Sequence, residues 1–312
     1  MSDKVELSVI IPVGDRHDKV HELYADYKRG IEACGLTYEF IYVLDGELPD
    51  ALEQLIALQE QGEELKLISL SRSFGEATAL TAGFDNSAGD AILTLPAYYQ
   101  VEPAEIPSLV RELQNCDMVI SHRWPRSGSK FESMRRDLFH GILKSFTGAS
   151  FHDLGCGVRA FKRKIADEVT IYGDQHRFLP VLASRRGFKV TEITVAQSSK
   201  DHFLGVYRPR EYLHRLLDIF TVFFLVRFTK KPLRFFGMIG SATLLLGAVF
   251  MLYLIIERLF MGVPLAARPA LLLSSLLVVL GVQILALGLL GELIIFTHAK
   301  ELKEYTIAEI IN

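Results

Sequence analysis

The first two hundred residues alternate between short apolar runs and segments whose apolar residues recur with helical spacing. The apolar runs occupy 5–13, 38–44, 65–71, 91–95 and 118–121, and each is followed by polar or turn-forming residues. The helical spacing occurs in the stretches between them, at 17–34, 48–61, 76–86 and 103–115. Strands and helices alternating at these intervals predict an α/β domain with a doubly wound, mostly parallel sheet. Such a sheet binds its ligands at the carboxyl ends of its strands.

The C-terminal part of the chain has a different pattern. Two strongly apolar runs predict transmembrane helices over 235–257 and 269–296, because each is long enough to cross a hydrocarbon core of about 30 Å. Before them, 211–230 has one apolar helical face, which predicts a juxtamembrane helix in the membrane interface; packing on the soluble domain is the alternative. We therefore expect a cytoplasmic domain over 1–210 and a cytoplasmic tail over 298–312.

Basic residues set the expected orientation. They concentrate before the first apolar run and after the second, at Arg227, Lys230, Lys231, Arg234, Lys300 and Lys303. Because basic loops stay on the cytoplasmic side, both termini are expected in the cytoplasm of a protein that spans the inner (plasma) membrane twice. The apolar N-terminal run looks like a strand and not like a signal peptide, which agrees with this orientation.

Composition changes this picture little. The chain has 312 residues, is 50% hydrophobic and has a mean hydropathy of +0.25, an excess that comes from the C-terminal part. A formal net charge of −3 argues against a generally basic nucleic-acid-binding protein. The cysteines Cys34, Cys116 and Cys156 do not have the spacing of metal ligands.

The motifs at the predicted strand ends resemble those of one enzyme family in their order along the chain. SVIIPV is similar to its first strand, and LSRSFGEATALTAGFDNSAGDAILTL to its Ser-Arg-Asn-x-Gly segment, helix and fourth strand, with Ser73 in place of Asn. DLGCGVRAFKR and HRFLPVLASRRGFKVTEITV resemble the later elements. The family is the family-2 glycosyltransferases with a GT-A fold. The similarity is greatest to the polyprenol-phosphate branch, which includes dolichol-phosphate mannose synthase and bacterial undecaprenyl-phosphate glycosyltransferases.

The resemblance implies a membrane-bound inverting glycosyltransferase of the cell envelope. Its partners would be a nucleotide sugar as donor and a polyprenyl (undecaprenyl) phosphate as acceptor on the cytoplasmic face. Related enzymes can assemble, so a homo-oligomer through the membrane helices is also expected. Glycines at 237, 240, 247, 281, 288 and 291 would permit close helix contacts.

The resemblance implies the candidate site residues through the matched motifs, and phosphate handling favours the basic ones, because anions are bound by Arg, Lys and backbone amides. The donor-binding candidates are Pro12, Asp45, Arg72, Gly75, Tyr98 and Gln100. The acceptor- or phosphate-binding candidates are Arg123, Arg126, Arg159, Arg177 and Lys200. Asp153 is the candidate catalytic base or orienting acid, with loop capping or pairing with Arg159 as the alternative. For Asp45 the alternative is a purely turn-forming Asp-Gly.

The expected metal site lacks its acids. The resemblance implies Asp-x-Asp-x-Gln with Mg²⁺ or Mn²⁺ at the end of the fourth strand, but this chain has Pro96-Ala97-Tyr98-Tyr99-Gln100. Neither proline nor tyrosine replaces a carboxylate for a hard cation. Three explanations remain: Arg and Lys replace the metal, Glu102 acts as a lone ligand, or catalysis is lost and the protein is a binding or scaffold subunit. A separate hypothesis has the tyrosines forming a different donor pocket.

Overall fold

A computed structural model describes residues 4–125, 151–169, 171, 173–201, 232–262 and 269–298. The predicted interfacial helix over 211–230, the tail beyond 298 and the candidate Arg126 lie outside these residues. The described residues fall into two compact units, one N-terminal and one formed by the C-terminal apolar helices.

The N-terminal unit is built on a seven-stranded sheet in the order β3-β2-β1-β4-β6-β5-β7. The strands are β1 (Leu7–Val13), β2 (Tyr38–Leu44), β3 (Leu65–Ser69), β4 (Ala91–Thr94), β5 (Met118–Arg123), β6 (Arg159–Lys162) and β7 (Val190–Val195). All neighbours pair in parallel except β6, which is antiparallel to both β4 and β5. The mostly parallel sheet is therefore confirmed. The hydrophobic pattern did not predict β6, which lies inside the DLGCGVRAFKR motif.

In the described part of this unit, the first four helices lie within the segments where the hydrophobic pattern predicts them, and the last two lie outside those segments. The helices are α1 (Val20–Glu32), α2 (Pro49–Glu60), α3 (Glu76–Asp85), α4 (Ile106–Glu112), α5 (Arg163–Glu168) and α6 (Leu179–Arg185). The segment predicted as one helix over 103–115 is instead a 3-10 turn, Pro103–Glu105, followed by α4. Pro107 has no amide hydrogen to donate to the Pro103 carbonyl, so a continuous α-helical hydrogen-bond ladder cannot form there.

Helices cover both faces of the sheet, and β1 shows why. Val9 and Ile11 are fully buried in a core with α1, α2 and α4, whereas Ile10 is buried in a second core with α3 and α6. Successive residues of a strand point to opposite faces. A strand buried on both faces has an almost continuous apolar sequence, as β1 does. The doubly wound architecture follows from this burial.

The second unit contains α7 (Pro232–Met261) and α8 (Pro269–His298). By length and composition both are long and apolar enough to cross a membrane. They pack closely: a Cβ added at Gly247 would lie 2.7 Å from the backbone nitrogen of Val278, and one at Gly281 would lie 2.6 Å from that of Leu244. These glycines are thus used between the two helices of one chain.

Candidate functional site

The carboxyl ends of β1 and β4 line a small cleft together with residues from α3 and the β6 region. Pro12, Pro96, Gly157 and Arg159 contribute to its wall, as do Glu76 and His176. His176 is buried, and its Nε2 lies 3.1 Å from a carboxylate oxygen of Glu76. Burial would raise the pKa of Glu76, but the hydrogen bond and charge of His176 lower it below its usual range. The fold therefore brings the end of the first predicted strand, at Pro12, next to the end of the fourth, at Pro96.

Tyr98 lies at the centre of a network at this edge of the sheet. The guanidinium of Arg16 stacks over its ring, 3.7 Å from the centroid. The side-chain amide nitrogen of Gln100 donates to the Tyr98 hydroxyl (2.9 Å). The side-chain oxygen of Gln100 accepts from the backbone N–H of Gly157 (2.8 Å). Burial raises the pKa of Tyr98, so its phenol is neutral at physiological pH. Tyr98 and Gln100, two of the residues predicted to bind the nucleotide-sugar donor, are thus in direct contact.

Tyr99 faces a different neighbourhood, against α1. Its hydroxyl donates to Asp26 (2.5 Å), and Lys200 donates to the same carboxylate (2.8 Å). Burial and the hydrogen bond to Asp26 raise the pKa of Tyr99 to about 12. Asp26, through its hydrogen bond, raises the pKa of Lys200. Lys200, a phosphate-binding candidate, therefore has an ion-pair partner on this side of the domain.

Arg123 and Asp153 form a buried ion pair. Arg123 Nε and Nη2 donate to the two Asp153 oxygens at 2.7 and 3.0 Å. The Arg123 side chain is 5% exposed and that of Asp153 is 3% exposed. Asp201 completes the cluster, with an oxygen 3.6 Å from Arg123 and another 3.4 Å from Arg16. Burial alone would lower the pKa of the Arg123 guanidinium, but the attraction and hydrogen bond of Asp153 raise it.

The partner of Asp153 is thus Arg123 and not Arg159. Arg159 is also buried, but its guanidinium donates to backbone carbonyls, including those of Cys156 (3.0 Å) and Leu154 (2.9 Å). Desolvation lowers the pKa of Arg159. In this arrangement Arg159 holds the loop that precedes β6 against the 3-10 turn Gly173–Phe178. Arg177, whose carbonyl accepts from Arg159 at 3.3 Å, is half-buried beside it.

Asp45 caps the turn that leads into α3. Its carboxylate accepts from the Phe74 amide (2.7 Å), the Gly75 amide (2.9 Å) and the Ser73 hydroxyl (3.0 Å). Gly75 has a φ of +96°, a conformation that side-chain-bearing residues rarely adopt. Asp45 therefore fixes the segment that precedes α3, and its role in donor binding stays a prediction. Arg72, on the same turn, is exposed, with its guanidinium 4.8 Å from the Phe74 ring centroid.

The residues at the end of β4 do not fit a hard divalent cation. Residues 96–100 provide no carboxylate, the Asp45 carboxylate is occupied by the turn it caps, and Glu76, the carboxylate of the cleft, is paired with His176. Glu102, considered from the sequence as a lone ligand, accepts a hydrogen bond from the Ser199 amide at 2.7 Å. Mg²⁺ and Ca²⁺ sites are built from oxygen ligands, chiefly carboxylates. The residues at this position therefore offer no set of carboxylate ligands for Mg²⁺ or Mn²⁺.

Sequence reasoning missed Arg16 and Asp201, which connect Tyr98 to the Arg123–Asp153 pair. Arg16 comes three residues after β1 ends at Val13, so the rule that strand ends carry ligands would have found it. Asp201 lies beyond β7 in a segment without a regular pattern. No sequence signal distinguishes it from other acidic residues.

Comparison with known proteins gives a consistent result. The model of the family described as Glycosyl transferase family 2 matches residues 8–170. The undecaprenyl-phosphate 4-deoxy-4-formamido-L-arabinose transferase of Edwardsiella ictaluri is 32% identical, over 98% of this chain and 94% of its own length. The protein of the same name from Sodalis glossinidius is 33% identical over 94% of this chain and 88% of its own length.

Solved structures show the fold. Glucosyl-3-phosphoglycerate synthase from Mycobacterium tuberculosis, crystallised with Mn²⁺ and UDP-glucose, superposes with a TM-score of 0.53 at 17% identity. The match covers 72% of this chain and 79% of that structure. The N-terminal unit thus has the GT-A type of mixed α/β sheet.

Proposed function

This chain belongs to glycosyl transferase family 2, and we propose that it transfers a sugar from a nucleotide-sugar donor to a polyprenyl phosphate, such as undecaprenyl phosphate, at the membrane. The observation that carries this proposal is the extent of the match. Relatives named as undecaprenyl-phosphate sugar transferases align over nearly the whole chain, through the catalytic domain and both apolar helices. A soluble glycosyltransferase of this fold would not need those helices.

The same proposal includes the arrangement in the cell. We propose a cytoplasmic domain over 1–210, an interfacial helix over 211–230, spans over 235–257 and 269–296, and a cytoplasmic tail over 298–312. The distribution of basic residues supports both termini in the cytoplasm. A lipid acceptor would then reach the enzyme from the inner leaflet of the plasma membrane.

Charge at the site is supplied by arginines in this proposal. Arg16 and Arg72 are exposed, near the strand ends, and are our candidates for stabilising the negative charge that develops on the leaving nucleotide diphosphate. Arg123 and Arg159 are buried and already bonded, so they would shape the site through the loops they hold. Arg177, Arg126 and Lys200 stay predictions as phosphate ligands.

Asp153 would act by orienting and not by taking a proton. The acceptor phosphate is already an anion at neutral pH, so it needs positioning more than deprotonation. Both oxygens of Asp153 are held by Arg123, which fixes the carboxylate and the loop that carries it. The proposed role of Asp153 is therefore to keep Arg123 and this loop in place beside the reacting groups.

A transfer assay tests the function. The full chain in detergent micelles is mixed with undecaprenyl phosphate and radiolabelled UDP-sugars, including UDP-glucose and the UDP derivative of 4-deoxy-4-formamido-L-arabinose. We expect label in the lipid fraction. Omission of undecaprenyl phosphate is the control. Absence of transfer from every donor tried would contradict the proposal.

Two further arms separate the alternatives. If arginines replace the metal, transfer persists after EDTA treatment; loss of transfer on chelation and its return with Mg²⁺ or Mn²⁺ would refute that part. The scaffold alternative is tested by calorimetry with UDP. The scaffold alternative predicts no transfer under any of these conditions. If the donor site is lost, it also predicts no heat of UDP binding. The names of the relatives favour the enzyme.

A further inference from the structure

We propose that His122, His152 and Glu192 form a second, separate site for a divalent transition-metal ion of the zinc class. Their ligand atoms all lie within 4.8 Å of one another. The site does not involve the end of β4, where the family's metal would be expected. The inference is also independent of the sugar-transfer proposal.

Strand register explains why two of these side chains meet. β5 and β7 are parallel neighbours, with Ile120 opposite Glu192 and His122 opposite Thr194. Residues paired across a sheet point to the same face, as do residues two apart on one strand. His122 and Glu192 therefore share one face. Arg123, the next residue along β5, points to the other face.

His152 reaches the cluster because the loop before β6 runs beside β5. The dipeptides His122-Arg123 and His152-Asp153 lie side by side, with the two imidazoles together and the Arg123–Asp153 ion pair on the opposite side. The imidazole rings stack at a centroid distance of 5.3 Å with 25° between their planes. Two histidines are thus held close together at the end of β5.

Glu192 orients this arrangement. Its carboxylate lies 2.7 Å from Nδ1 of His152 and accepts from the backbone amides of His152 (2.9 Å) and Asp153 (3.1 Å). On binding, the metal would replace the proton between Nδ1 of His152 and the Glu192 carboxylate, so that both groups become ligands and Nε2 carries the remaining ring proton. A carboxylate has about four acceptor positions, so Glu192 has capacity both for the amides and for a metal or an imidazole.

The ligand set determines the class of ion. Two imidazoles with one carboxylate suit Zn²⁺, Co²⁺ and Ni²⁺, whereas Mg²⁺ and Ca²⁺ prefer oxygen ligands. Tetrahedral zinc bonds of about 2.0–2.2 Å place ligand atoms about 3.3 Å apart, so the cluster would contract by side-chain rotation on binding. His152 is exposed and His122 is half-buried, so an ion can enter from solvent. Bound metal would fasten the His152-Asp153 segment to β5 and β7.

Trp124 provides a direct measurement. It is the only tryptophan in the chain, and its ring centroid lies 6.1 Å from that of His122. Co²⁺ has partly filled d orbitals and quenches indole fluorescence at short range, whereas Zn²⁺ is d¹⁰ and does not. The full chain in detergent, carrying a purification tag without histidine, is titrated with Co²⁺ alone. We expect saturable quenching that Zn²⁺ reverses by competition, and Mg²⁺ does not.

Variants test the ligands. His122→Gln and His152→Gln should abolish saturable quenching. Glu192→Gln replaces a charged ligand by a neutral amide and should weaken Co²⁺ affinity at least about 10-fold, the lower end of the loss found even for outer-shell carboxylates. His21→Gln, at an exposed histidine on α1, is the matched control and should leave the titration unchanged. Circular dichroism of each variant confirms that it is folded.

Elemental analysis after equilibrium dialysis against Zn²⁺ gives a second readout. The proposal expects one zinc per wild-type chain and less than one in both histidine variants. Quenching that does not saturate, or that persists unchanged in folded His122→Gln and His152→Gln, would overturn it. In that case Glu192 serves only to anchor the loop amides.

Discussion

The Arg123–Asp153 pair makes a quantitative prediction about stability. Asp153→Ala leaves the Arg123 guanidinium, 5% exposed, without its bidentate partner. Removing one member of a buried ion pair typically costs about 3–5 kcal/mol, because the remaining charge stays out of water without compensation. Asp201, 3.6 Å from Arg123, supplies part of the lost attraction, so we expect the lower end, about 3 kcal/mol.

A surface pair provides the matched control. Lys4 and Asp90 are separated by 2.7 Å, the same distance as Arg123 Nε and Asp153, but their side chains are 78% and 64% exposed. Asp90→Ala should change the free energy of unfolding far less, since water screens such a pair. The two substitutions thus differ in burial and not in ion-pair distance.

The assay is urea denaturation of the full chain in detergent, followed by Trp124 fluorescence, because Trp124 adjoins Arg123. Thermal unfolding gives a second measure: a loss of about 3 kcal/mol lowers Tm by about 6–12 °C in a domain of this size. Asp153→Asn, which keeps an oxygen acceptor but loses the charge, should fall between Asp153→Ala and wild type. If Asp153→Ala and Asp90→Ala reduce the free energy of unfolding equally, the pair is solvated and the reasoning is wrong.

Three further predictions concern other parts of the chain. Tyr98→Phe keeps the ring under its arginine but removes the acceptor of the Gln100 amide, so the free energy of unfolding in urea should fall by about 0.5–1.5 kcal/mol; an unchanged value would show that Gln100 finds another partner. The pKa of Asp26 is lowered below 3.8, since hydrogen bonds from its lysine and tyrosine partners outweigh desolvation. Its contribution is therefore full above that pH and lost as pH falls through the folded pKa. Wild type should exceed Asp26→Asn in urea stability at pH 7, with the difference shrinking in acid; a constant difference would contradict the linkage. Gly247→Val places a Cβ 2.7 Å from a backbone nitrogen of the facing helix, whereas a Cβ at Gly237 meets nothing closer than 3.6 Å. Gly247→Val should therefore lower the thermal stability of the hairpin in detergent, and the control Gly237→Val should not. Equal losses in the two variants would contradict this packing.

The sequence by itself determined the family and most of the strands and helices of the described residues. Apolar runs such as that of β2, Tyr38–Leu44, coincide with strands because burial on both faces is a local property of a segment's composition. The two C-terminal helices follow from their apolar length in the same way. The order of the motifs along the chain is enough to identify the family-2 glycosyltransferases, without any information on side-chain contacts.

Only the tertiary structure decided which side chains meet. It paired Asp153 with Arg123 and not with Arg159, turned Tyr98 and Tyr99 toward different partners, and bound Asp45 to the turn before α3. It also inserted β6 in the antiparallel direction. Several of these contacts join residues far apart in the chain: 30 positions for Arg123 and Asp153, 73 for Tyr99 and Asp26, and 29 for Asp45 and Phe74. Hydrophobic periodicity says which face of a strand is buried, but strand order and register decide what lies opposite, and those depend on the packing of the whole sheet.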